Sequence, residues 1–137
     1  MIPRGIRLNN PGNIVKSNIR WQGKVVGYDR TFESFDTPQN GLLALCDNLL
    51  SYQRIHDCMS VKDIITRWTR TDVEPYIENV AAAMNVKDDY PLDLGDAPTL
   101  ARLATAIIHQ EQGQVPYPAS MITQAAMSSL GLGPEPA

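Results

Sequence analysis

The sequence predicts an α+β domain, mostly helical, with a small β element near its start, and three observations carry that expectation. From Thr37 onward, apolar residues recur at helical spacing in one stretch after another. Between Ile19 and Phe35 the β-favouring residues Trp21, Val25, Val26, Tyr28, Phe32 and Phe35 are punctuated by Gly23 and Gly27, as in a short twisted hairpin or three-stranded sheet. There is no internal repeat and no alternation of strands with helices, which argues against a parallel sheet. A chain of 137 residues, 43% hydrophobic and 20% charged, suits one domain over 1–137, with a core that needs neither disulfides nor metal.

Residues 1–18 read as irregular, because Asn9-Asn10-Pro11-Gly12-Asn13 strings together residues that favour turns and positive φ. Thr37-Pro38 supplies a cap and a first-turn proline for a helix carrying Leu42, Leu45, Cys46, Leu49 and Leu50 on one face. Ser60 with Asp63 resembles a capping box opening a helix through Ile64, Ile65 and Trp68. Asp72 is placed to cap the next, with Tyr76, Ile77, Val80 and Met84. An acidic connection over 85–97 leads to a helix from Pro98 that Gly113 ends. Ala119 to Leu130 forms the last helix, stopped by Gly131, and 131–137 reads as a frayed tail.

The net charge of −3 hides an asymmetry: residues 1–30 hold Arg4, Arg7, Lys16, Arg20, Lys24 and Arg30 against Asp29 alone. Such a surface can approach an anionic polymer or simply be solvated. The pI of about 5.2 and the lack of a helix-turn-helix, zinc-finger or stacking-sheet signature argue against nucleic acid. No run approaches a membrane span, and Met1 to Gly12 lacks an apolar signal-peptide core. Cys46 and Cys58 read as free thiols. His56 and His109 match no metal spacing, and Walker, GxGxxG and GxSxG motifs are absent, so neither a metal nor a cofactor is expected.

What remains is a carboxylate among aromatics and amides. Leu100, Leu103, Ala104, Ile107 and Ile108 form an apolar stripe whose next turn lands on Glu111, while Arg102, His109 and Gln112 point elsewhere. Burial and the negative end of the helix dipole both disfavour an ionised acid there, and a protonated carboxylic acid is what cleaving a glycosidic bond requires. The plainer alternative is a helix-end Glu turned to water. Asn9, Asn10, Asn13, Trp21, Gln114, Tyr76 and Tyr117 are the residues suited to sugar hydroxyls and faces. Each also has a structural reading, Trp21 as sheet packing, Tyr76 as helix core, Asn10 and Asn13 as turn formers.

RGIRLNNPGNI, Trp21-Gln22-Gly23, FESFDTPQNGLLAL, TRW, the tyrosine of EPYIENV and the AIIHQEQG helix together resemble phage and prophage proteins that begin RGIRNNNPGNI and are related to lysozyme-like peptidoglycan hydrolases. The resemblance spans nearly the whole chain and departs at Leu8, where that family usually has Asn. IIHQEQG is also similar to the helix of lytic transglycosylases that ends in the catalytic Glu, with Gln112 in place of the usual Ser. NPGNI and a hairpin follow that helix in those enzymes but precede it here, which implies a circularly permuted lysozyme-like domain.

The resemblance implies a glycan-strand-cleaving enzyme of lytic transglycosylase or muramidase type. Glu111 would act as acid and base, Tyr76 would stand beside it, and Asn10 to Ile14 would line one cleft with Trp21 or Tyr28 nearby. A hydrolase would commonly need a second carboxylate about 5 to 9.5 Å away. Asp29, Glu33 and Asp36 are the available ones and carry no spacing signal, so the one-acid route is expected. The implied partner is peptidoglycan, with no nucleic acid and no membrane span. The implied protein is a monomer made in the bacterial cytoplasm without a signal peptide and acting in the periplasm or in a virion. Two other roles stay open, a non-catalytic virion or peptidoglycan-binding protein of the same fold and a secreted cell-wall-targeting effector.

Overall fold

The computed structural model describes residues 2–132. Its elements run α1 (Arg4–Arg7), β1 (Lys24–Val25), β2 (Ser34–Phe35), α2 (Pro38–His56), α3 (Val61–Trp68), α4 (Val73–Met84), α5 (Ala97–Gln112) and α6 (Ala119–Ser129). The α+β class read from the sequence is the class observed. Gly131, at φ 71, stops α6 as expected, and the Leu132 amide donates to the Met127 carbonyl at 2.8 Å, so the first two residues of the stretch read as a frayed tail are tied to the helix end. The rest of that tail, 133–137, lies outside the described residues.

Local chemistry sets the helix ends. Thr37 Oγ1 accepts from the Asn40 amide and Ser60 Oγ from the Asp63 amide, while the Asp63 carboxylate returns to the Met59 amide. Asp96 caps α5 through the Thr99 amide, and Gly113 at φ 73 closes it. Asp72 departs from expectation: it precedes α4 but makes no side-chain cap bond. Its φ of 50 and ψ of 42 are left-handed, whereas a capping side chain normally needs extended backbone to reach the first-turn amides.

The β element is smaller than a three-stranded sheet. Lys24 pairs with Phe35 and Val25 with Ser34, and a lone bridge joins Val15 to Phe32. Between the strands, Asp29 accepts from the amides of Thr31 and Phe32, a side-chain turn that competes with ladder pairing. The helical turn α1 was not expected from a turn-rich segment. Tertiary contact explains it, since α1 packs against α5 and buries Gly5.

α5 is central, packing against α2, α4 and α6. Leu100, Leu103, Ala104, Ile107 and Ile108 on its stripe are wholly buried, with Leu42, Leu45 and Leu49 of α2 and Ile77 and Met84 of α4 in the same core. Each large side chain so buried stabilises the fold by about 1.5–3 kcal/mol. Cys46 and Cys58 are free and buried, and burial pushes the Cys46 thiol up to about 12. Among the described residues no helix is long and apolar enough to cross a membrane.

The loop from Asn9 to Ile14 is clamped between these parts. Asn9 and Asn13 take φ 53 and 52, conformations that asparagine tolerates better than most residues. Asn9 Nδ2 donates to the Phe35 carbonyl at 3.1 Å, tying the loop to β2. On its other side lies Gly41 of α2, where an added Cβ would fall on the Asn9 carbonyl oxygen. Gly→Ala within a helix ordinarily stabilises by about 1 kcal/mol. Gly41→Ala is expected to do the reverse and cost about 1–3 kcal/mol in urea unfolding, because loop or helix must move.

Candidate functional site

Glu111 lies on the last turn of α5 and is half-buried. Its carboxylate is held at both oxygens: Oε1 accepts from Asn13 Nδ2 at 2.8 Å, and Oε2 accepts from the Tyr76 hydroxyl at 2.7 Å. Three separate parts of the chain thus meet at one acid. The stripe of α5 correctly locates Glu111 beside the core, but polar donors rather than apolar neighbours hold its head. Tyr76 is buried on α4, and burial, the Glu111 charge and the hydrogen bond to it all raise its phenol. It therefore remains a hydroxyl donor.

Asn13 is itself positioned. Its backbone amide donates to the Asn10 carbonyl at 3.0 Å, and its Oδ1 accepts from Gln112 Nε2 at 3.1 Å. That acceptor bond turns the Asn13 amide nitrogen toward Glu111. Gln112 also donates to the Pro11 carbonyl at 2.9 Å and is buried, contrary to the helical-wheel expectation that it points away. The wheel fails there because the N-terminal segment packs over the end of α5. Gly5 makes room, since a Cβ on it would fall on the Gln112 and Asn13 amides.

The acid opens into a cleft of about 550 Å³. Glu111 and Asn13 line it together with Ile14, Ser17, Ile19, Trp21 and Phe32 from the N-terminal segment, Asn48 and Tyr52 from α2, and the run Trp68-Thr69-Arg70-Thr71. Trp68 meets Tyr52 edge to face, with ring centroids 5.8 Å apart. A hollow of about 610 Å³ on another face, bounded by Ala101, Ala106, His109 and Ile122, has no carboxylate in its lining. The cleft at Glu111, by contrast, has a carboxylate and several aromatic side chains in its wall.

Of the residues expected at the site, Glu111, Tyr76, Asn13 and Trp21 converge on this cleft or its acid, and the others do not. Asn10 is fully buried, and its side chain bonds Ile14 at both N–H and C=O and the Glu33 carbonyl, which leaves nothing for a ligand. Tyr28 is exposed on the β element and borders a different hollow, with Arg7 and Asp36, because the Asp29 turn carries it away. Gln114 is exposed just past the end of α5 and does not line the cleft. Tyr117 packs on the main core, and its buried hydroxyl has no partner among the described residues. Sequence reasoning missed Trp68, Tyr52, Arg70 and Gln112. Trp68 offered a signal, an aromatic ending a helical stripe just before the polar run Thr69-Arg70-Thr71.

The possible second carboxylates are all otherwise engaged. Asp29 is gripped by Arg4 at 2.6 and 2.8 Å, and with the Phe32 and Thr31 amides this holds its carboxyl well below the usual carboxylate range. Glu33 is buried and pairs with Lys24 at 2.9 Å, and Asp36 accepts from Asn40 Nδ2 at 2.8 Å. None lines the cleft. Among the described residues no group of three or more His, Cys, Asp or Glu is arranged to hold a metal.

No family model matches the chain. Over 121 residues it is 33% identical to Protein P5 of Pseudoalteromonas phage PM2, an alignment covering 83% of this chain and 74% of that protein.

Proposed function

The chain belongs to the same family as the phage PM2 Protein P5, and from its cleft we propose that it cleaves peptidoglycan glycan strands as a lytic transglycosylase. The observation that carries the reading is a single carboxylate, Glu111, held by donors at both oxygens in a cleft lined by Trp21, Trp68 and Tyr52. The loop of Asn10 to Ile14 lies at the end of the acid's helix, the juxtaposition a permuted lysozyme-like order calls for, and this supports the same reading.

In this mechanism Glu111 gives its proton to the glycosidic oxygen between N-acetylmuramic acid and N-acetylglucosamine as the bond from that oxygen to the muramic C1 breaks. The resulting carboxylate takes the proton of the muramic C6 hydroxyl as O6 bonds to C1. An anhydro sugar forms and no water is consumed. One carboxylate suffices for both steps, in keeping with the engagement of Asp29, Glu33 and Asp36 elsewhere. Each carboxylate oxygen has more than one acceptor site, so Asn13 and Tyr76 can orient the group and leave it free to exchange a proton.

Mass spectrometry of digested peptidoglycan tests the reading directly. Anhydro-muramic ends support it, ends heavier by one water indicate a hydrolase, and intact glycan strands point to a virion or wall-binding role. Tyr76→Phe removes one of the two orienting bonds while keeping the ring in the core. The variant should melt within about 1.5 kcal/mol of the parent, and its lytic rate should fall about tenfold or more, as expected for losing a hydrogen bond to a charged group.

A further inference from the structure

Among the described residues two charged side chains line the cleft, and they stand in opposite conditions. Glu111 is satisfied by Asn13 and Tyr76. Arg70 is exposed and, among the described residues, has no carboxylate within ion-pairing distance and no side-chain hydrogen bond. Arg4 is committed to Asp29 and Arg67 to His56 and the face of Tyr52, and Arg20, though it lies between Ile19 and Trp21, does not line the cleft. Arg70 is also held in place at its backbone. Trp68 before it packs on Tyr52, and the Thr69 hydroxyl bonds both the carbonyl and the amide of Thr71, closing a small turn around it. An unpaired guanidinium on a held backbone beside the aromatic side chains of the cleft is equipped to take a carboxylate in a bidentate, charge-assisted bond.

The sugars of a peptide-bearing glycan strand carry no charge, because each muramic lactyl carboxyl is tied up in its amide bond to the peptide, so they offer this group no ion pair. The peptide carried by each muramic acid does. Resting on the proposed glycan-strand reading, we infer that Arg70 binds a carboxylate of the stem peptide on the muramic acid in the cleft, so that the site selects peptide-bearing strands. The interaction would fix the strand's register, since peptides recur on alternate sugars, and would set which glycosidic oxygen reaches Glu111. Its exposure makes it sensitive to salt.

The test compares two soluble ligands, peptide-bearing glycan fragments and the same fragments with their peptide carboxylates converted to amides. Binding is read from the fluorescence of Trp21 and Trp68, which line the cleft, and so does not depend on cleavage. The wild-type protein should bind the free-carboxylate fragments about tenfold more tightly at low salt, and Arg70→Gln should bind both forms with the weaker affinity. Arg70→Lys should restore part of the preference, because the charge returns without the fork. Equal wild-type affinity for the two forms, a preference retained by Arg70→Gln, or no binding of either form would each overturn the inference. Selective binding without anhydro products would keep it while removing the enzymatic reading.

Discussion

Glu111→Gln is expected to lose lytic activity by about 10² to 10⁴-fold, the usual range for removing a general acid. The loss should be nearly complete in practice, since among the described residues no other carboxylate lines the cleft to take over. The fold should survive for a specific reason. The introduced amide oxygen can keep the bond from Asn13 Nδ2, which can only donate, while its NH₂ faces the Tyr76 hydroxyl, which can turn and accept. Circular dichroism and melting should therefore match the parent. A folded variant that clears peptidoglycan at the parental rate would show that the acid lies elsewhere, and Glu33 would come next. Glu33 is 1% exposed and paired with Lys24, so it would have to leave that ion pair to act.

How much of this arrangement was legible in the sequence depended on whether the cause was local. The caps at Thr37 and Ser60 and the stripe leading to Glu111 follow from residues within a turn or two, and they were readable, whereas Asp96, which caps α5, lay in the stretch read as an acidic connection. Gln112 was misjudged because its burial comes from Pro11 and Asn13, about a hundred residues earlier in the chain. A helical wheel knows nothing of a segment that returns from the other end. The helix α1 was missed for a related reason, as Gly5 is a poor helix former whose place is set by packing under Gln112. Trp68 reads from the sequence as part of a helix and Arg70 has no role there, and only the approach of the N-terminal segment makes them parts of one cleft.

Asn10→Asp should be among the most destabilising single-atom changes available in this protein. The sequence suggested a sugar-binding amide, but the side chain is wholly buried, and its NH₂ group donates to the carbonyls of Ile14 and Glu33, each at 2.9 Å. A carboxylate in its place keeps the shape and still accepts from the Ile14 amide, yet it loses both donor bonds and sets a charge against two carbonyl oxygens. Leaving buried groups unpaired costs about 1–3 kcal/mol each and more for a charge, so a loss of about 3 kcal/mol or greater is expected in urea unfolding at neutral pH. The pH dependence gives a second check. The introduced acid is disfavoured as an anion when folded, so its folded-state pKa lies above the unfolded value of about 3.9. The deficit relative to the parent should be full at pH values above the folded pKa and should shrink as pH falls through it, when the neutral acid regains a donor. Lytic activity should fall alongside stability, because the Asn10 carbonyl anchors the Asn13 amide and Asn13 in turn holds Glu111. A variant that melts like the parent but binds glycan poorly would return Asn10 to the ligand-binding role the sequence first suggested.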